Sequence, residues 1–489
     1  MISTVERHAR RVQQKKSGFY GFFLLTLGGG GADLLNSVVP WWGYLSSYIL
    51  VIESMGREKQ IERVLSYDIR SYGAVGDGAT VNTAAIQAAI DACTQAGGAR
   101  VNVEGGQYVT GTIVLKDGVH LSIAAGAELR GSGDIADYAG GCGRNMYRGE
   151  PHMDRCLIFA DGATGIGIAG MGTICGNGAD FPNARDADKN RPMMIRFRNC
   201  RNVRVRDVTL RDPAAWASAW LYCADIVIDG ITIHSRVNRN GDGLDFDGCC
   251  DVRVANSAFD TSDDSICLQA SRPDAPCRDV AVSNCLFRSK WAGMRIGLLS
   301  RGNIENVCVS NCIFRDINDA GLKIQTCEGG ALQNMTFANL FMRNVPRPIF
   351  ATLGQQRCCV DAPPNLAPPG QLRRLMFNGL LVDNRECGPD SHIVLTGIPS
   401  AKIEDVTFDN VRMTTCGGAS EKDARREEVL ELVPEILGDR WPEYRCFGRT
   451  LPASGLYARH VHKLTCGNMR LDTVEDDPRE QMIMEDVSL

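Results

Sequence analysis

From Asn202 onward, apolar and polar residues alternate in short runs, and the runs themselves recur. Val203, Ile226, Val252, Val280, Val307, Met335, Leu375, Val406 and Leu464 form one column, at successive intervals of 23, 26, 28, 27, 28, 40, 31 and 58 residues. Seven residues further on, eight of the nine rows carry a large apolar side chain: Leu210, Ile233, Phe259, Phe287, Phe314, Met342, Met413 and Leu471. Four residues on, six rows carry asparagine: Asn256, Asn284, Asn311, Asn339, Asn410 and Asn468. Between these positions Val254, Val282 and Val309 alternate with polar residues, the two-residue period of strands. A period of ~20–30 residues built from short strands predicts an all-β solenoid, the parallel β-helix. Each coil then adds strands to continuous parallel sheets about 4.8 Å above the last. Apolar columns become interior stacks, and asparagines at a bend become a hydrogen-bonded ladder.

The pattern extends toward the N-terminus. Gly76-Asp77-Gly78 is a turn, and Asn82–Ala96 predicts an amphipathic helix with Asn82 as N-cap, Ile86 and Ile90 on its apolar stripe, and Gly97-Gly98 as its stop. One helix ahead of many strands predicts a cap over the open end of the solenoid. Two long intervals hold insertions. Residues 355–370 form a proline-rich loop, and 416–458 contains the charged run EKDARREEVLELVPEIL, which predicts a helical insertion. Such insertions often border a groove. Trp441, Tyr444 and Phe447 there would either stack on sugar rings or fasten the loop to the solenoid.

Residues 1–66 stand apart as an N-terminal extension. A basic start leads into apolar Gly18–Leu27, four glycines and a second apolar run, Val38–Ile52. No clear cleavage site follows, and neither apolar half reaches the ~20 residues of a membrane span. The extension is expected to be either a membrane anchor or an upstream stretch without folding consequence, ahead of one catalytic domain over 67–489. A net charge of −5 gives no sign of a nucleic-acid partner. The 20 cysteines show no repeated CxxC pairs, and Cys200, Cys223, Cys249 and Cys277 each precede a column position by three residues. They are expected to be reduced thiols acting as small buried apolar residues, in a cytoplasmic or periplasmic protein.

Chemistry concentrates in Asn240–Ala270, NGDGLDFDGCCDVRVANSAFDTSDDSICLQA. Asp242 and Asp263 are 21 residues apart, close to one coil, and Asp264 follows directly. Stacked coils would cluster these carboxyl groups, as glycosidic hydrolysis requires: one to protonate the leaving oxygen and one to activate water. Crowding should raise one pKa and leave a protonated acid beside ionised bases. Asp245 and Asp247 read more simply as turn aspartates holding backbone amides.

NGDGLDFDG and SDDSICL resemble the N-x-D-G and D-D elements of the polygalacturonase-like glycoside hydrolases of family 28, and YGAVGDG and GTIVLKDGVHLSIAAGAELRGS are similar to that family too. The resemblance, over about residues 67 to 480, implies a right-handed parallel β-helix that cleaves a pectic poly- or oligosaccharide by single displacement with inversion. It implies no cofactor and no metal. Carried over by position, Asp263 would be the general acid, Asp242 and Asp264 would activate water, and Asn240 would line the groove. Two motifs depart from the family. Ala292 stands in WAGMRIG where a histidine is expected, and Lys323-Ile324-Gln325 stands for R-I-K, which holds the substrate carboxylate. Arg295, Lys323 and Gln325 are then the expected substrate-binding residues, with galacturonate specificity altered. The insertions favour cleavage from chain ends. Two rival readings use the same fold: a Ca²⁺-dependent lyase or epimerase with the aspartates as ligands, and a carbohydrate-binding β-helix without catalysis.

Overall fold

The computed structural model describes residues 66–183, 191–426, 428–448 and 450–489, so the 1–66 extension lies outside the described residues except for Ser66. Among the described residues, no helix is long and apolar enough to cross a membrane. The named strands pair in parallel with those of the coils before and after, and the chain winds as a right-handed parallel β-helix.

The apolar column of the sequence is a physical stack. Val203 pairs with Ile226, Ile226 with Val252, and the same register runs through Val280, Val307, Met335, Leu375 and Val406 to Leu464. The second column pairs likewise from Leu210 through Phe287 to Leu471. Inside the solenoid, ring centroids lie 5.1 Å apart for Phe259–Phe287 and 4.6 Å for Phe287–Phe314. Those spacings match one rung, so identical side chains pack with copies of their own shape.

The asparagine ladder has a backbone cause as well as a side-chain one. Asp207, Gly230, Asn256, Asn284, Asn311, Asn339, Gly379, Asn410 and Asn468 occupy the same bend, all with φ between 45° and 69°. Asparagine, aspartate and glycine tolerate that left-handed conformation best. Asn284 donates to Asn256 at 3.3 Å and Asn339 to Asn311 at 3.2 Å. A second left-handed column, from Asn202 through Asp225, Asp251 and Asp279 to Asn306 and Asn334, sits one residue before the apolar column. It turns the chain into the sheet.

The predicted cap helix spans Thr83–Gln95 and buries Ile86, Ala89, Ile90 and Cys93 against the first coils. Asn82 holds the N-cap position but does not cap. Its amide instead ties Thr80 and Val75, accepting from Val75 N at 2.7 Å. The insertion after Thr415 differs more from expectation. Rather than one long helix it has single turns at Glu421–Ala424 and Pro434–Leu437 and a 3₁₀ turn at Tyr444–Phe447. Buried Val429, Leu432 and Leu437 fold it onto the solenoid beside Phe350 and Tyr457, and the Arg426 guanidinium, donating to the Phe447 and Thr450 carbonyls, holds its two halves together. Tertiary burial overrides a local charge pattern that favours helix.

Candidate active site

The N-G-D-G turn places its aspartate by exclusion of side chains. A Cβ on Gly241 would meet the Ser235 carbonyl, and one on Gly243 the Ser265 carbonyl. Asn240 enters the turn at φ 53°. Leu244 and Ile266 pair in register, so Asp242 and Asp264, each two residues earlier, stand one rung apart. Gly243 N donates to the Asp264 carbonyl at 2.9 Å. Oxygens of Asp242 and Asp264 and the Cys267 sulfur all lie within 4.8 Å of one another. The Asp263 backbone is pinned by Thr261 Oγ1 and Ser289 Oγ, each donating to its carbonyl at 2.6 Å. That leaves its carboxyl half-buried beside Asp264.

Asp242, Asp263 and Asp264 thus share one cleft of about 410 Å³. Asn240 lines the same cleft, donating to Glu150 and accepting from Arg191 at 2.9 Å. Of the two presumed turn aspartates only Asp247 behaves as one, accepting from Ser271 N at 2.8 Å. Asp245 faces outward between Ala219 and Cys267 and accepts from no backbone amide among the described residues.

Burial raises the pKa of all four clustered carboxyls. In Asp242 and Asp245 it is the largest effect, reinforced by the other aspartates, and it carries both well above the ordinary range. Asp263 is pushed up to about 7, by burial first and the Asp264 charge second. Asp264 is raised by burial, but the Arg295 guanidinium opposes the shift from 2.9 Å away. Both adjacent carboxyls are thus raised, but Asp264 alone of the two has the Arg295 guanidinium in contact, opposing its rise.

The three expected substrate-binding residues separate. Arg295 lines the cleft with its charge engaged by Asp264 and Glu443. Lys323 and Gln325 do not reach the cleft as expected, because the insertion covers them. Lys323 is fully buried and paired with Asp319 at 2.6 Å and with Glu443. Gln325 donates to the Pro442 carbonyl at 2.8 Å. Ala292, in place of the expected histidine, sits buried in the Asp264 column and accepts from Ser265 N at 3.1 Å.

Other cleft residues lie off the repeated columns, some between strands of a coil and some on segments outside the repeat. Glu150 accepts from Trp216 Nε1 at 3.0 Å, and Trp291, Trp441, Glu443 and Arg445 complete the wall. The aromatic trio of the insertion divides its tasks. Trp441 faces the cleft beside Tyr147, centroids 4.8 Å apart, whereas Tyr444 and Phe447 are buried and fasten the insertion near Phe350. The sequence signalled Trp441 by its place in the insertion, and Trp291 only by its position directly before the substituted Ala292. Asp242, Asp264 and Cys267 are also close enough to touch one cation. A soft thiol in that set, with Arg295 already against Asp264, is unlike the hard oxygen shell that Ca²⁺ takes.

A family model, glycosyl hydrolases family 28, matches residues 93–426. The chain is 28% identical over 427 residues to an exo-poly-alpha-D-galacturonosidase of Dickeya chrysanthemi, covering 75% of this chain and 70% of that one. It is 25% identical over 307 residues to a probable polygalacturonase of Vitis vinifera, covering 58% and 62%. Among solved structures, the Yersinia enterocolitica family 28 exopolygalacturonase superposes with a TM-score of 0.66 at 23% identity, over 86% of this chain and 77% of that one. A hyperthermoactive exopolygalacturonase from Thermotoga maritima gives 0.59 at 20% identity, over 73% and 89%.

Proposed function

The chain belongs to glycosyl hydrolases family 28, and from that premise we propose that it removes units from the end of a pectic chain by single displacement with inversion. Family membership makes it a glycosyl hydrolase. The names of its relatives support a pectic substrate, and that of the Dickeya relative supports attack from chain ends.

In this reading Asp263 protonates the leaving glycosidic oxygen. Asp264, ion-paired with Arg295, draws the proton from a water held between it and Asp242 one rung away. Trp291 and Trp441 line the cleft and supply apolar surface against which a sugar ring can pack. The Tyr147–Glu150 loop and the 441–445 segment wall the cleft, which favours a chain end over the middle of a polymer. The observation that carries the reading is the contrast between adjacent carboxyls: Asp263 pushed up to about 7, Asp264 ion-paired at 2.9 Å. Proton NMR of the reducing end formed from a pectic oligosaccharide of defined length tests it. Inversion predicts that the anomer opposite to the substrate linkage appears first, as free monosaccharide. First appearance of the retained anomer overturns the single displacement, and mid-chain products overturn the end-directed action.

A further inference from the structure

Arg295 and Lys323 pair in register on consecutive rungs, on the outward face of the catalytic sheet and on the C-terminal side of Asp264. Both are buried, and both aim at one carboxylate from far along the chain. Arg295 Nη2 donates to Glu443 Oε1 at 3.2 Å, and Lys323 Nζ donates to Glu443 Oε2. The Lys323 ammonium is also covered by the Trp291 ring, 4.5 Å from its centroid. Gln325, donating to the Pro442 carbonyl at 2.8 Å, holds the segment in place. A guanidinium and an ammonium converging beside a sugar cleft make a carboxylate-binding site. The chain fills that site with its own side chain.

We propose that Glu443 is a specificity-determining residue: it occupies the carboxylate site next to Asp264, so that the sugar unit lying there is accepted only when uncharged, as a neutral sugar or a methyl-esterified uronate. The inference rests on the pectic hydrolase reading and refines it. A uronate at this position would face Glu443, Asp263 and Asp264 with Arg295 and Lys323 already engaged, and like charges brought together there repel. Pushing Glu443 aside would leave a buried carboxylate unpaired, which is worse still. Arg445 is exposed at the rim, its guanidinium 5.6 Å from the Trp291 centroid. Acidic units farther along the chain are therefore tolerated, and the selectivity is confined to the unit beside Asp264.

The test compares kcat/KM for a de-esterified oligogalacturonide with that for its methyl ester at equal length. Wild-type enzyme is expected to prefer the ester by about tenfold or more, the equivalent of one charged contact. Glu443→Gln, which keeps the shape and removes the charge, is expected to shift the ratio toward the acid by about tenfold. Glu443→Asp, which keeps the charge, is expected to retain the wild-type preference. A wild-type preference for the acid overturns the inference, as does an unchanged ratio in a Glu443→Gln protein that melts like wild type. The wild-type ratio needs no variant, so it decides the matter even where substitution unfolds the insertion. Failure of wild type to cleave either oligosaccharide overturns the pectic reading itself, and the inference with it.

Discussion

The solenoid carries two ladders of polar side chains on successive rungs, and they meet opposite fates. At the asparagine bend, neutral amides sit in solvent, each on a left-handed backbone, with Asn256–Asn284 and Asn311–Asn339 linked along the stack. On the catalytic sheet, Asp245, Cys267, Arg295 and Lys323 occupy one outward column and are all buried. The coil geometry is the same in both places; the cover differs. The insertion lies over the Arg295–Lys323 end of the second ladder, removes water from it, and brings Glu443 to compensate its cations. Desolvation turns a row of surface residues into a site with displaced pKa values. The first ladder holds the fold, and the second borders the catalytic carboxyls.

Removing a carboxyl that the charged ladder borders should have the largest effect. Asp264→Asn is expected to lower kcat by about 10³-fold with little change in KM, as for loss of a positioned acid–base group. Steady-state kinetics on a pectic oligosaccharide measures this, and a drop under tenfold would remove Asp264 from the mechanism. Breaking the ladder at Lys323 should act on stability instead. Lys323→Met leaves Glu443 and Asp319 buried with less compensation and is expected to destabilise by about 3–5 kcal/mol. Denaturant unfolding reads the value, and a near-neutral change would mean that the insertion does not depend on the ion pairs. The neutral ladder should give least. Asn311→Ala, at φ 55°, loses the left-handed preference and one ladder bond, for about 1–2 kcal/mol. Asn311→Gly keeps the conformation and should lose less. Equal losses in thermal unfolding would assign the column to hydrogen bonding alone.

The same contrast explains what was legible in the sequence. Repetition exposes the neutral ladder and both apolar columns, because every coil meets the same packing and the same bend; each of the nine column residues pairs with its predicted neighbour. The Asp242, Asp263 and Asp264 cluster was legible for a related reason, since residues one coil apart must stack. Glu150 and Glu443 were not, because they reach the cleft from segments outside the repeat, and Trp216 was not because it sits between two strands of its coil, off both apolar columns. Lys323 and Gln325 were expected to meet substrate because Lys323-Ile324-Gln325 stands where the family's R-I-K motif holds the substrate carboxylate. Nothing local to them indicates that Pro442 and Glu443 will cover them. The helix expected across the insertion failed for the same physical reason: burial against Phe350 and Tyr457 decides its path.

The central claim is that Asp263 carries the catalytic proton because burial and Asp264 raise its pKa to about 7. The folded protein therefore binds this proton between about pH 4, the unfolded value, and about 7, so both the protonated acid and its contribution to stability are lost as pH rises through that window. The most direct measurement is the pH profile of kcat/KM for wild type and for Asp263→Asn, using an aryl glycoside whose good leaving group keeps the variant measurable. Wild type is predicted to lose activity above about pH 7, by about tenfold per unit, and the variant to lack that limb. A basic limb that persists unchanged in Asp263→Asn would contradict the assignment.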